Sequence, residues 1–393
     1  MTKIFMFEKP LGMRDTFPIT YKKIKMIKEE MEKEWTLWGY SFLETPALEY
    51  YNTVGMASAI QEEQLFKLLD QEGNTLVLRP DMTAPIARVA ASKLLSTRNP
   101  LRLAYHSKVY RAQQREGGKA AEFEQLGIEC IGDGTISADA EVIALMISSL
   151  NGLQLDSFIV SIGHIGFVQS LLNEVLGNDS QVHELQRFLF DKNYVGFETY
   201  VQSLSLSSLD KHRLSKLLSL TGKNDCLQIA YDLVCSEEAR NALDELSLLW
   251  EQLDEYGVAT SIKIDLGQVS HMSYYTGLVF EVSANSVGFP IGNGGRYDHL
   301  LTKFGKTVAA TGFAISMNYL LQALEGTIQP VNECELVLFQ EGWRKEALQF
   351  VREKRAIGVN VVMQDMNGVE DVGKFITSYQ QVYFLNGEGS NRC

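Results

Sequence analysis

The sequence predicts an α+β chain: a mixed, mainly antiparallel sheet flanked by helices, with a helical insertion and a small C-terminal α/β unit. Three observations lead to this class. Strand-like stretches rich in aromatic and β-branched residues fill residues 76–131 and 262–319. Between them, from about 165 to 256, leucine-rich segments at helical spacing follow one another: FVQSLLNEVLG, HELQRFLFDKN, DKHRLSKLLSL and ARNALDELSLLWEQLDEYG. After the linker-like GTIQPVNE, the strands CELVLFQ, VNVVMQ and QVYFL alternate with helical segments, the pattern of a parallel sheet. The expected organisation is a core over 1–325, with its insertion, and an α/β unit over 331–393.

The elements follow in order. After Pro18, the apolar residues Ile24, Ile27, Met31, Trp35 and Trp38 fall at helical spacing, and Gly39 stands at the expected stop. YSFLETPALEYYNTV reads as a strand broken by Pro46, which cannot donate to a ladder and so suits an edge or a crossing between subunits. LFKLLDQEGNTLVLRPDMTAPIARVAASKLL gives two strands around the turn EGN, then the corner RPD and a helix. Residues Arg102 to Ala112 and Ala121 to Ile131 form a long hairpin with a charged, glycine-containing tip. GQVSHMSYYTGLVFEV reads as strand, tight turn, strand, with Tyr274, Thr276 and Leu278 on one face. IGNGGRYD is a glycine cluster, and VAATGFAISMNYLLQAL a strand running into a helix.

Bulk properties limit the function classes. At 393 residues the chain is long for one domain, and its 45% hydrophobic and 22% charged composition is that of an ordinary folded protein. A net charge of −13 disfavours non-specific nucleic-acid binding. The five cysteines are scattered, with no CxxC pair, which argues against a disulfide framework or a structural zinc site. No apolar run is long enough for a membrane span, and the N-terminus lacks the features of a signal peptide, so a cytoplasmic protein without a membrane partner or cofactor is expected.

Polar residues of the two strand blocks are expected to converge. Asp81 and Thr83 leave a strand end at RPDMT, Arg111 is read as mid-strand, and Gln125 and Glu129, four apart on one strand, share a face. Tyr274, Tyr275 and Tyr297 lie near Gly277, Gly292, Gly294 and Gly295. Carboxylates suit an α-ammonium, Arg111 suits an α-carboxylate, tyrosine hydroxyls can pair with an imidazole or amide, and glycines admit a ligand to the backbone. Each also has a plainer reading: Glu129 and Arg111 as an ion pair, the tyrosines as core, the glycines as turns.

The order of these segments resembles the catalytic core of histidyl-tRNA synthetase, a class II aminoacyl-tRNA synthetase. KPLGMRDTFP is similar to the opening of that family, GYSFLETPALE to its dimer-forming first motif, and KVYRAQQREGGKAAEFEQLGIECIG to its second. YYTGLVFE resembles its histidine-recognition signature, and GNGGRYDHL with TGFAISMNYLL its third motif. The resemblance implies a class II synthetase-like sheet of roughly six or seven mainly antiparallel strands, a homodimeric core, and a histidine pocket. Asp81 and Glu129 would hold the ammonium or imidazole, Arg111 the carboxylate, and Tyr275 and Tyr297 the ring, with Thr83, Gln125 and Tyr274 beside them.

The departures are as informative. Where the family has RGLDYY this chain has SHMSYY, so the catalytic arginine position is Ser270, and His271 replaces a glycine. The Glu-Arg that ends the third motif is Asn318 and Tyr319, the second-motif glutamate is Gln113, and its later arginine aligns with Ala121. Each lost cation would have contributed about 1.5–4 kcal/mol to phosphate or transition-state binding, so two cost on the order of 10²-fold even at the low end. The tail from Cys334 to Cys393 is also too short for the family's complete anticodon-binding domain. This pattern resembles the histidyl-tRNA-synthetase-like regulatory subunits of ATP phosphoribosyltransferase. It implies a non-catalytic chain that activates a short-form catalytic subunit within a hetero-octamer, with histidine as effector. A divergent histidine–tRNA ligase and a free-standing amino-acid or tRNA sensor are the alternatives.

Overall fold

The computed structural model describes residues 7–112, 120–270, 274–328 and 334–386, together with a short strand at 391–392. The chain divides into two compact units, 1–328 and 329–393. Sixteen strands run in chain order among the described residues: β1 (Ser41–Phe42), β2 (Leu48–Tyr50), β3 (Lys67–Leu69), β4 (Thr75–Leu78), β5 (Leu101–Tyr110), β6 (Glu122–Ile131), β7 (Phe158–His164), β8 (Thr221–Gly222), β9 (Ile262–Asp265), β10 (Leu278–Ala284), β11 (Gly292–Arg296), β12 (Ala310–Ser316), β13 (Glu335–Phe339), β14 (Val361–Asp365), β15 (Gln381–Leu385) and β16 (Asn391–Arg392).

The first unit is built on a nine-stranded mixed sheet, ordered β1-β5-β6-β12-β11-β10-β7-β9-β8. The expected six or seven strands are therefore too few. The extra members are the two-residue edges β1 and β8, which are too short to carry a readable alternation. Pairing is antiparallel except at β1–β5 and β7–β9. Strands β2, β4 and β3 form a separate small antiparallel sheet, so the segment around Pro46 links two sheets.

The first helix, α1 (Pro18–Leu37), buries Ile27, Met31 and Trp35, and ends where Gly39 takes φ +83°, a conformation that favours glycine. It packs with α3 (Ile136–Gly152) over one face of the sheet, against Ala104, Leu126, Ile128, Cys130, Phe280 and Phe313. Helix α2 (Thr83–Val89) belongs to the opposite face. The insertion runs through α4 (Ile165–Leu176), α5 (Asp179–Phe190), α6 (Tyr194–Ser203), α7 (Ser208–Leu217), α8 (Asp225–Tyr231) and α9 (Glu237–Glu255). Its Leu171, Leu185, Leu214 and Leu246 share one continuous core with the sheet, so the insertion is not a detached lobe. Helix α10 (Met317–Ala323) follows β12 directly.

The other face of the sheet positions the site. Residues alternate across a strand, so with Leu126, Ile128 and Cys130 facing the helices, Gln125 and Glu129 face away. A second apolar cluster lies here, joining Leu103, Tyr105, Val109, Met82, Ile86, Ala310 and Tyr297.

The second unit has strand order β14-β13-β15-β16, with β14 and β15 parallel to β13. Helices α11 (Arg344–Ala356) and α12 (Val372–Ile376) supply the crossovers. The antiparallel edge β16 is an addition to the expected strand–helix alternation.

One sequence reading needs correction. In GQVSHMSYYTGLVFEV residues 267–270 are not strand: β9 ends at Asp265, whose side chain accepts the Gly267 N–H at 3.2 Å and whose carbonyl accepts the Gln268 N–H at 3.2 Å. This turn stops the ladder before Ser270, and among the described residues the next strand is β10, from Leu278. His271 and Gln113 lie outside the described residues. Among the described residues no helix is long and apolar enough to cross a membrane.

Candidate functional site

A cavity opens on the sheet face away from α1 and α3, with about 440 Å³ of empty space including its mouth. The structure brings all eight expected residues to its wall: Asp81, Thr83, Arg111, Gln125, Glu129, Tyr274, Tyr275 and Tyr297. Asn293 and the β12 backbone around Gly312 complete it.

The corner RPD places the first two. The Arg79 guanidinium donates to the Lys108 carbonyl at 2.8 Å and the Thr45 carbonyl at 2.5 Å, and the Arg79 carbonyl accepts the Tyr110 N–H at 3.0 Å. These bonds pin the end of β4 to the end of β5. Asp81 then turns inward, where one oxygen accepts the Ala84 N–H at 3.1 Å and the other the Ser58 hydroxyl. The first accepts from the opening turn of α2, whose N-terminal amides favour an anion.

Arg111 sits one residue past β5 rather than mid-strand, because its N–H bonds the Ala121 carbonyl at the hairpin mouth (2.8 Å) after the regular ladder has ended. Its Nε donates to the Pro80 carbonyl at 2.8 Å, and its guanidinium lies 5.3 Å from the Phe123 ring. Burial lowers its pKa, and the nearby Asp81 charge opposes that effect.

Glu129 is held in the β6 ladder between Leu103 of β5 and Gly312 of β12. A Cβ on Gly312 would collide with the Glu129 carboxylate, so glycine is required for the acid to lie there. Glu129 accepts the Tyr297 hydroxyl. At 2% exposure, burial pushes its pKa up to about 8, with hydrogen bonds from Tyr297 and Thr83 opposing and Asp81 adding to the rise. Glu129 is therefore the neutral acid at pH 7. The alternative in which Glu129 and Arg111 chiefly serve one another is not the observed arrangement: Arg111 is anchored on Pro80 and Glu129 on Tyr297.

Tyr274, Tyr275 and Tyr297 form an aromatic wall, with Tyr274 ring centres 5.0 Å from Tyr275 and 5.7 Å from Tyr297. Burial raises the pKa of all three, so they stay protonated and offer hydroxyl donors. The Gln125 side-chain oxygen is buried without a hydrogen-bond partner among the described residues, as is the Tyr105 hydroxyl beneath the floor. Sequence reading missed Tyr105 and Asn293. The alternation of β5 could have found the first, and the lone side chain within Gly-Asn-Gly-Gly the second.

Of the positions that depart from the synthetase pattern, the described ones, Ser270, Ala121, Asn318 and Tyr319, lie outside this wall. Ser270 is in the turn segment after β9. Ala121 is buried, donates its N–H to the Gly12 carbonyl at 2.9 Å, and packs where Gly12 has no side chain. Tyr319, on α10, stacks on Phe289 at 5.5 Å.

Comparison with known proteins agrees with this architecture. Residues 12–320 match the family model for histidyl-tRNA synthetase, and residues 336–387 that for the histidyl-tRNA synthetase HisZ C-terminal domain. The ATP phosphoribosyltransferase regulatory subunit of Bacillus licheniformis is 54% identical over 384 residues, 98% of each chain. A crystal structure from Bacillus halodurans, described as an ATP phosphoribosyltransferase regulatory subunit/histidyl-tRNA synthetase, is 53% identical with a TM-score of 0.90, covering 98% of this chain and all of that one. Histidyl-tRNA synthetase from Nostoc, at 18% identity and a TM-score of 0.82 over 97% of this chain and 91% of that one, shares the fold.

Proposed function

The chain belongs to the family of ATP phosphoribosyltransferase regulatory subunits, and we propose that it activates a short-form catalytic subunit and transmits feedback inhibition by histidine in the first step of histidine biosynthesis. One observation carries the effector reading. Asp81, Glu129 and Arg111 face one enclosed cavity with three tyrosine hydroxyls and an unpaired Gln125 oxygen. That set matches a zwitterion with an additional polar ring. Arg111 takes the α-carboxylate, Asp81 with Gln125 the α-ammonium, and Glu129 with Tyr275 and Tyr297 the imidazole.

The same chain is poorly equipped for adenylation. Ser270, Ala121 and Tyr319 occupy positions where the resembling synthetases carry arginines, and none can hold a triphosphate by charge. The protein thus keeps an amino-acid site without the means to activate the amino acid. Histidine acts as a linked effector: it binds one arrangement of the assembly more tightly and shifts the population of active catalytic subunits. A coupling of about 1–3 kcal/mol gives a useful response. A homodimeric core inside a cytoplasmic hetero-octamer is the assembly that fits this role.

The test is co-purification with the short catalytic subunit, followed by assay of product formation from ATP and phosphoribosyl pyrophosphate. Activity that needs both chains is expected, together with no histidine-dependent ATP–pyrophosphate exchange by this chain alone. Exchange by the isolated chain at a synthetase-like rate would refute the reading.

A further inference from the structure

Residues 7–17 run ahead of α1 as a strap. The chain is exposed from Phe7 to Leu11 and again from Arg14 to Phe17, and half-buried at Gly12 and Met13. Exposed backbone of this kind opens at low free energy. The strap is folded on itself where it is half-buried: the Pro10 carbonyl accepts the Met13 N–H at 3.0 Å, and Lys9 pairs with Asp15 at 2.7 Å. Gly12 takes the third position of this tight turn at φ +77°, where glycine is favoured. The turn seats on the mouth of the β5–β6 hairpin. A Cβ on Gly12 would stand 2.6 Å from the Ala121 Cβ and 2.7 Å from the Ala121 nitrogen, so space as well as backbone angle requires glycine. Ala121 carries the contact onward. Its N–H donates to the Gly12 carbonyl at 2.9 Å, and its own carbonyl accepts the Arg111 N–H at 2.8 Å. The strap, β6 and the backbone of Arg111 are thus joined in series through one residue, while the Arg111 side chain is held by the Pro80 carbonyl.

We propose that the strap is a latch coupled to the Arg111 end of the cavity: docking of Gly12 on Ala121 holds Arg111 in place for a ligand carboxylate, and a carboxylate bound there holds the strap down. This rests on the reading that the pocket takes histidine with Arg111 on its carboxylate, and it adds a moving part to that site. Linkage makes the two effects equal: the factor by which docking tightens the ligand is the factor by which the ligand favours docking. That factor is about ten, the low end of the worth of one charge-assisted hydrogen bond. A ligand without a carboxylate gains nothing from the latch.

The experiment compares L-histidine with L-histidinol, which keeps the ammonium and the imidazole but carries a hydroxymethyl group in place of the carboxylate. Site-resolved hydrogen exchange on the full chain follows the Ala121 amide, whose acceptor is the strap. Saturating histidine should slow its exchange by about tenfold, and saturating histidinol by less than about twofold. Isothermal titration then sets wild type against Gly12→Ala, whose methyl group fits neither the turn nor the contact with Ala121. Its histidine Kd should rise about tenfold while its histidinol Kd stays within about twofold, which also shows the pocket to be intact. A strap that is merely structural would move both ligands alike. If Gly12→Ala does not fold, the exchange measurement on wild type decides alone. Equal changes for the two ligands in Gly12→Ala, no change for either, or Ala121 exchange indifferent to histidine overturns the inference and leaves the histidine pocket standing. Absence of histidine binding by wild type instead refutes the pocket reading, and the inference falls with it.

Discussion

Tyr297 donates its hydroxyl to the Glu129 carboxylate across the width of β12, and both residues are only 2% exposed. Glu129 is locked in register with Gly312, while the Tyr297 N–H bonds the Ala310 carbonyl at 2.7 Å. The acid and its donor are thus set by backbone pairing before any ligand arrives. Pre-organisation of this kind lowers the ordering cost of binding.

Removing the donor tests that relationship. Tyr297→Phe should destabilise the protein by about 1 kcal/mol at pH 7, the net worth of a hydrogen bond to the neutral acid, and should weaken histidine binding. Urea unfolding with an unchanged slope, alongside calorimetric binding, measures both. An unaltered affinity would mean that Glu129 does not meet the ligand.

The pKa of Glu129 makes a signed prediction. Folded Glu129 keeps its proton up to about pH 8, whereas the unfolded side chain loses it near the ordinary 4.5. Between those values the folded state binds the extra proton, so this group makes stability fall as pH rises, by at most about 1.4 kcal/mol per pH unit. Glu129→Gln should remove that component. Its melting temperature relative to wild type should rise from pH 5 to pH 8, and a difference independent of pH would count against the buried neutral acid.

Two glycines should behave differently. Gly312→Ala drives a methyl group into the Glu129 carboxylate and the Ile128 carbonyl, so about 1–3 kcal/mol of stability and most histidine binding should be lost. At Gly39 nothing lies within 4 Å of an added Cβ, but φ is +83°. Gly39→Ala should therefore cost about 1–2 kcal/mol through backbone strain alone and leave binding unchanged. Denaturation and calorimetry on both variants separate the effects.

Much of the site was legible because strand periodicity carries facing information. The four-residue spacing of Gln125 and Glu129 placed both on one side of β6, and the RPD corner marked where Asp81 and Thr83 would turn inward. Asn293 was hidden because glycines around it read equally well as a turn. Here they clear space for Phe280, Ile315 and Tyr275, neighbours distant in sequence. The segment before Ser270 is read as strand, yet Gly267 and Gln268 have little β-propensity and Asp265 closes a turn over them with its side chain and carbonyl. Edge strands of two residues leave no period to detect.

A buried ion pair supports the strand that carries Asn293. Arg296 donates to the Asp139 carboxylate of α3 at 2.5 and 2.9 Å, and also to the Thr135 carbonyl at 2.9 Å. Asp139→Ala leaves that guanidinium with only Asp298, at 3.4 Å, as counter-charge and should cost about 3 kcal/mol, the low end for breaking a buried pair. Adding Arg296→Met should recover part of the loss in chemical denaturation. A single variant as stable as wild type would show the pair to be dispensable.

The most direct measurement is a histidine titration of the reconstituted two-chain enzyme carrying Glu129→Ala in this subunit. Activation of the catalytic subunit should persist while inhibition moves to at least tenfold higher histidine, because the ligand loses the buried acid that meets its ring. An inhibition curve that superimposes on wild type would contradict the assignment of this cavity as the effector site.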